Sequence, residues 1–347
     1  MPRHAAGAQA RLGAAGPGTP TSHRKSREGP KDPQGRGSQR QRQSRQARQI
    51  RETPPGPQER PAVSPAATPV RWPAEALWEA IAPLLPGFTV EVLPSIDSTN
   101  SELMRRARDG RLEPTLLVTE EQTAGRGRLG RDWHSAATYR DTGVVPALTF
   151  SLGLPLAPHD WSGLSLAVGV SVAQALQPVL PPEGSGHPRV LLKWPNDLWL
   201  QDGRKLGGIL VETATLTAPG AAVPPLVAGQ SRYVVVGIGL NVLPVLADGL
   251  RTPPACLREV DTTLTAASAL QRIAPPLVHA LLGFAEHGFA PFQARFAQRD
   301  LLAGRAVTLS DGTQGTAHGV TEDGTLLVHT ARGMQPITSA EISVRPQ

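Results

Sequence analysis

Apolar positions along this chain recur in two rhythms, every three to four residues or every second residue, and from Trp72 onward they predict alternating helices and strands. Pro73–Leu85 has helical spacing behind a proline start. Thr89–Leu93 reads as a strand, and Asp97-Ser98-Thr99-Asn100 offers several N-cap side chains to the helix SELMRRARDG, which Gly110 stops. Thr115–Thr119 and Val145–Leu152 are strand-like, and Ser162–Leu180 is a long apolar helix suited to packing across a sheet. Val190–Trp194, Gly208–Thr213 and Tyr233–Gly237 are further strands, separated by turn chemistry at Pro195-Asn196-Asp197 and Asp202-Gly203. Thr263–His287 is helical in pattern, but Pro275-Pro276 predicts a break or kink. Beyond Asp300 come short β runs with Gly-containing turns, at Ala306–Leu309, Thr316–Val320, Leu326–His329, Pro336–Ile337 and Ile342–Val344. They predict a small β-barrel with its boundary near Leu302–Gly304.

Composition divides the chain differently. Residues 1–70 hold no Phe, Trp or Tyr and carry 13 Arg and Lys against 4 Asp and Glu, whereas the rest holds 22 against 25. The high pI therefore belongs to the tail, and the folded body is nearly neutral. Such a tail buries too little apolar surface to offset its ordering entropy, so disorder is expected, with QRQRQSRQARQIR from Gln39 read as a solvated charge run. A start of translation downstream is the alternative. The single cysteine, Cys256, excludes an internal disulfide and suits a reducing compartment. No apolar run approaches the roughly 20 residues of a membrane span, and no secretory apolar core is visible. The expectation is a soluble cytoplasmic protein of 347 residues in three parts: a basic tail (1–70), a large domain (71–302) and a small β domain (303–347).

The first candidate for chemistry is Gly125-Arg126-Gly127-Arg128-Leu129-Gly130, which spells GxGxxG. A dinucleotide fingerprint needs a helix after it and an acidic residue about 20 positions on. Here Arg131-Asp132-Trp133 and a loop follow, and Asp141 is a poor acidic match. The same glycines let backbone approach a ligand closely, while Arg126, Arg128 and Arg131 supply planar donors for phosphate or carboxylate. Taken alone, the segment reads equally well as an Arg/Gly surface loop or an RNA-contacting patch. Trp133 suits either an adenine ring or the core.

Lysine usage changes the balance. The chain has only Lys25, Lys31, Lys193 and Lys205 among 35 basic residues, and both lysines of the folded body fall within LKWPNDLWLQDGRKLGGILVE. Ammonium is a compact, mobile donor able to follow a reacting phosphate or carboxylate, so this clustering points to a need for Lys itself. Asn196 and Asp197 either reach one pocket or simply form a hairpin turn. Lys205-Leu206-Gly207-Gly208 places a cation where glycines admit a ligand, and Asn241 closes the strand GIGLN, as a nucleotide contact or a satisfied strand end.

Together DSTN (97–100), EQTAGRGRLGRDW (121–133), KWPNDLW (193–199), RKLGGILVE (204–212) and GIGLN (237–241) resemble the biotin–protein ligases, in that family's order and spacing. The resemblance covers about 88–347. It implies an α/β (α+β) fold, with a mixed β-sheet catalytic domain of the biotin/lipoate ligase type, helices packed on it, and a C-terminal SH3-like β-barrel. One departure is Ser339-Ala340-Glu341, where the family usually has Gly in the middle. Repressor members carry a winged helix-turn-helix at the N-terminus, which residues 1–70 do not show, so DNA binding is not expected. The implied activity is ATP-dependent formation of biotinyl-5′-AMP, then biotin transfer to a lysine of a biotin carboxyl-carrier domain of acetyl-CoA carboxylase type. By the same resemblance Ser98, Thr99, Asn100, Gln122, Arg126 and Gly127 contact biotin. Arg128 and Lys205 hold its carboxylate and the α-phosphate, and Arg131, Trp133, Lys193, Asn196 and Asn241 line the nucleotide side. Mg²⁺ would accompany ATP, and the protein would be a monomer or homodimer. The nearest rival is a lipoate or octanoate transferase of the same broad fold, which would want a longer apolar channel.

Overall fold

A computed structural model describes residues 70–133, 144–215, 230–245, 252–338 and 344–346. Residues 1–69 of the basic tail, Asp141, and Ser339-Ala340-Glu341 lie outside the described residues. All described residues fall in one unit, Val63–Gln347.

Seven strands form the main sheet: β1 (Thr89–Leu93), β2 (Thr115–Thr119), β3 (Ala147–Leu156), β4 (Val190–Lys193), β5 (Asp197–Leu200), β6 (Lys205–Thr215) and β7 (Arg232–Asn241). Their spatial order is β1-β2-β3-β7-β6-β5-β4. Only β1 and β2 run parallel, because helix α2 (Thr99–Arg108) crosses between them; the other neighbours are antiparallel. Ser98 caps α2 by accepting from the Ser101 N–H at 3.4 Å, and Gly110 ends it with φ +81°. β1 and β2 have the expected bounds, β4 stops one residue early at Lys193, β3, β6 and β7 extend beyond their expected ends, and β5, not expected from the sequence, starts at Asp197 in the expected turn.

The two faces of the sheet are built differently. Toward one, Leu116, Val118, Leu148, Phe150, Ile209, Val234, Val236 and Ile238 join a large apolar core. It is covered by α1 (Ala74–Ile81), α3 (Leu164–Leu176), α5 (Ala266–His287) and α6 (Ala290–Ala297), with α4 (Leu257–Val260) at the margin. Toward α2, a smaller cluster of Leu103, Met104, Leu117, Tyr233 and Val235 holds the helix down. Alternation along β7 then brings Gly237 and Gly239 onto this same face. Side chains shrink from Tyr and Val to nothing, and room opens beside α2.

Helix α5 corrects the expectation of a break: Ala266–His287 is one helix through Pro275 and Pro276. The carbonyls deprived of donors belong to Gln271 and Arg272, whose side chains are exposed, so solvent can satisfy them. Meanwhile Leu270, Ile273, Ala274, Leu277, Val278 and Leu281 keep the helix anchored in the core.

The C-terminal strands β8 (Ala306–Leu309), β9 (Gln314–Val320), β10 (Leu326–Thr330), β11 (Gly333–Ile337) and β12 (Val344–Pro346) form an all-antiparallel sheet of SH3-like type, in the order β11-β10-β9-β8-β12. Its apolar side is continuous with the main core. Val307, Ala317, Leu326 and Val328 continue the main core, and buried Trp194 donates its indole N–H to the Gly324 carbonyl at 3.1 Å. No described helix is long and apolar enough to cross a membrane.

Candidate functional site

Beside α2 lies a cavity of about 130 Å³ lined by residues from both ends of the sheet and from the Gly125–Trp133 segment. That segment is a closed hairpin. Gly127 N–H donates to Arg131 O at 2.7 Å, Trp133 N–H donates to Gly125 O at 2.9 Å, and Arg126 bridges Asp132. Its tip turns at Leu129 (φ +56°), which is 60% exposed, and at Gly130 (φ +68°). The return through Asp132 replaces the helix that a dinucleotide fingerprint needs, so the GxGxxG spelling belongs to a hairpin that lines the cavity. Two glycines seat this hairpin. A Cβ on Gly125 would come within 2.4 Å of the Trp133 carbonyl, and one on Gly239 within 2.6 Å of the Trp133 indole.

Four cations line the cavity, Arg126, Arg128, Arg131 and Lys205, against the carboxylates Asp132 and Asp197. The excess suits an anionic ligand. Lys205 Nζ donates to Asp197 Oδ1 at 2.8 Å, directly over Gly208, where a Cβ would lie 3.5 Å from Nζ. Burial pulls the Arg128 guanidinium pKa below the usual arginine value; Asp197 opposes that shift and Arg131 adds to it.

At the other end, Thr99 N–H donates to Gln122 Oε1 at 2.9 Å, and Thr99 Oγ1 lies 3.2 Å from the same oxygen and 2.7 Å from Ser151 Oγ. Ser151 in turn donates to Asn100 Oδ1 at 2.6 Å, and Asn100 Nδ2 donates to Glu212 Oε2 at 3.0 Å. The Asn100 carboxamide occupies the space that a side chain at Gly237 would need. Asn196 Nδ2 donates to Ile209 O at 2.6 Å, which ties the Pro195–Asp197 turn to β6.

Of the residues singled out in the sequence, Ser98, Thr99, Asn100, Gln122, Arg126, Gly127, Arg128, Arg131, Trp133, Asn196 and Lys205 line this cavity. Lys193 and Asn241 are not among its lining residues. Lys193 is buried with Nζ 5.2 Å from the centre of the Trp199 ring. Asn241 donates to Ala255 O at 2.9 Å, while the Ala255 N–H donates to the Lys205 carbonyl, so it buttresses the Lys205 backbone instead. Sequence reasoning passed over Glu212, Ser151 and the spacing of Gly237 and Gly239. The alternation of small and polar residues on otherwise apolar strands was the available signal. Among the described residues no cluster of three or more His, Cys, Asp or Glu could hold a metal ion.

Comparison with known proteins shows which family the chain belongs to. The biotin/lipoate A/B protein ligase family matches residues 92–222, and the biotin protein ligase C-terminal domain matches residues 303–345. The bifunctional ligase/repressor BirA of Escherichia coli (strain K12) is 34% identical over 271 residues, 75% of each chain. The biotin–[acetyl-CoA-carboxylase] ligase of Paracoccus denitrificans is 29% identical over 72% of this chain and 98% of its own length. Among solved structures, the biotin protein ligase from Aquifex aeolicus in complex with biotin and ATP superposes with a TM-score of 0.57 at 27% identity, covering 74% of this chain and 99% of that one. The hairpin, the cationic cavity and the SH3-like sheet thus occur together in a chain that belongs to the biotin–protein ligase family.

Proposed function

We propose that this protein activates biotin with ATP, giving biotinyl-5′-AMP and pyrophosphate, and then transfers biotin to a lysine of a carboxyl-carrier domain of acetyl-CoA carboxylase type. The observation that carries the reading is the lid: three arginines of one hairpin close over a cavity whose floor presents Lys205. In the first step a biotin carboxylate oxygen bonds to the α-phosphorus as the bond to the pyrophosphate oxygen breaks. Negative charge gathers on phosphate oxygens, and Arg128 and Lys205 are placed to hold it together with the biotin carboxylate. The protein contributes orientation and charge stabilisation, with no covalent intermediate on its own side chains.

Ser98, Thr99, Asn100, Gln122, Arg126 and Gly127 would form the biotin end of the cavity, through hydrogen bonds from side chains and lid backbone. Arg131, Trp133 and Asn196 would face the nucleotide, with Lys193 and Asn241 supporting that side from behind. Mg²⁺ enters here as part of the Mg·ATP substrate, consistent with Asp197 and Glu212 being paired with Lys205 and Arg126 and with the preference of Mg²⁺ for phosphate and water ligands. A cavity of about 130 Å³ is smaller than the roughly 300 Å³ and more of small-molecule sites. The hairpin therefore has to swing out to admit substrates and close again over the mixed anhydride, which water would otherwise hydrolyse. In the second step the acceptor amine attacks the acyl carbon, an amide bond forms and AMP leaves. Residues 71–302 would carry this chemistry, with 303–347 as the smaller domain braced against Trp194.

The test is biotin-dependent ATP–pyrophosphate exchange, repeated with a carrier domain to follow transfer. Binding titrations with biotin and with lipoate separate this reading from the lipoate-type alternative; preference for lipoate would overturn it.

A further inference from the structure

Glu212 stands where three parts of the site meet. Its Oε1 accepts from Arg126 Nη2 of the lid at 3.0 Å, and its Oε2 lies 3.5 Å from Arg126 Nη1. The same Oε2 accepts from Asn100 Nδ2 of α2, and Glu212 itself belongs to β6, seven residues beyond Lys205. Arg126 Nη1 also donates to Ser101 Oγ at 3.3 Å. From Glu212 the polar chain runs on through Asn100, Ser151 and Thr99 to Gln122. Lid and far wall are thus joined by one continuous set of hydrogen bonds. Apart from Trp133 against Gly239, the hairpin presents an exposed tip, so this polar contact adds directly to what holds it closed.

We propose that Glu212 is a positioning residue that latches the lid through Arg126. The carboxylate pairs with Arg126 of the hairpin. It also fixes Asn100 and, through it, the wall around Thr99 and Gln122. This inference rests on the ligase reading above and concerns retention of the reactive adenylate rather than its formation.

The experiment uses the full chain in single turnovers without acceptor, measuring how fast biotinyl-5′-AMP escapes and hydrolyses to AMP. Glu212→Gln retains an acceptor for Asn100 but loses the charge facing Arg126. Arg126→Met removes the lid half at an exposed position and leaves Glu212 and Asn100 intact. Each is expected to raise escape on the order of tenfold, the factor that one charge-assisted hydrogen bond supplies, while in Glu212→Gln, at a residue outside the cavity lining, exchange falls only a few-fold. The double variant should be no worse than either single one, because the two groups act through one contact. Tryptic cleavage in the lid of the unliganded protein should quicken in parallel. Escape unchanged in Arg126→Met, or additive effects in the double variant, would overturn the latch. Absence of exchange in the parent protein would instead overturn the ligase reading, so the two failures are distinguishable.

Discussion

The Trp133 indole rests on the bare backbone of Gly239, in the space where any side chain at 239 would stand. A lid residue and a strand residue more than a hundred positions away therefore share one volume. Gly239→Ala would place a methyl group 2.6 Å from the ring, and overpacking of this kind costs about 1–3 kcal/mol. The main cost should fall on the lid, which can move, rather than on the central strand, which cannot. Expected results are a KM for ATP raised about tenfold or more, altered tryptophan fluorescence and a nearly unchanged unfolding temperature. Unaltered ATP dependence would detach Trp133 from the nucleotide.

Lys205 and Arg128 carry the proposed charge stabilisation. Lys205→Ala and Arg128→Ala should each reduce biotin-dependent exchange by about 10²–10³-fold, as loss of a preorganised donor does elsewhere. Arg128→Lys should also be damaging, since one planar fork is lost. Circular dichroism must show folded protein in each case. Near-normal exchange in both alanine variants would remove them from the site.

Asp300 is held by burial at a pKa of about 6, against 3.8 for a free aspartate. Its Oδ1 accepts from the Leu302 N–H at 2.8 Å, but its buried Oδ2 has no hydrogen-bond partner among the described residues. Because the folded-state pKa is raised, the folded protein binds more protons than the unfolded chain between those values. Stability should therefore fall as pH rises through this window. Asp300→Asn removes that slope, so its stability relative to the parent should increase by about 3 kcal/mol from below pH 4 to above pH 6. Thermal unfolding of both proteins across that range measures it; parallel curves would refute the assignment.

Pro276 lies exposed within α5, where it withholds one backbone donor. Pro276→Ala restores the N–H for the Arg272 carbonyl, and the gain, reduced by the freer unfolded chain, should be about 1–2 kcal/mol. Since α5 covers the face of the sheet away from the cavity, exchange activity should not change. A lower unfolding temperature would mean that the ring makes a packing contact worth more than the missing bond.

Much of this protein is readable from local chemistry. Strand β2, the capped start of α2 and its stop at Gly110, and the turns before and within the C-terminal sheet each follow from residues within a few positions of one another. The lid residues and the two lysines of the body stood out for the same reason, as unusual side chains packed into short segments. The break expected at Pro275-Pro276 does not occur, because the long apolar face of α5 overrides a local breaker, a tertiary effect.

Single-strand periodicity could not identify Glu212 as the partner of Arg126, 86 positions away, or show that Asn100 occupies the space left by Gly237. Nor could it separate Lys205, at the cavity, from Lys193, against Trp199. Sequence by itself determined which segments form helices and strands and which residues carry mobile charge, because those properties depend on nearest neighbours and on side-chain type. The tertiary structure alone decided which of those charges face one another, because sheet order and the parity of each strand choose the face on which a side chain emerges.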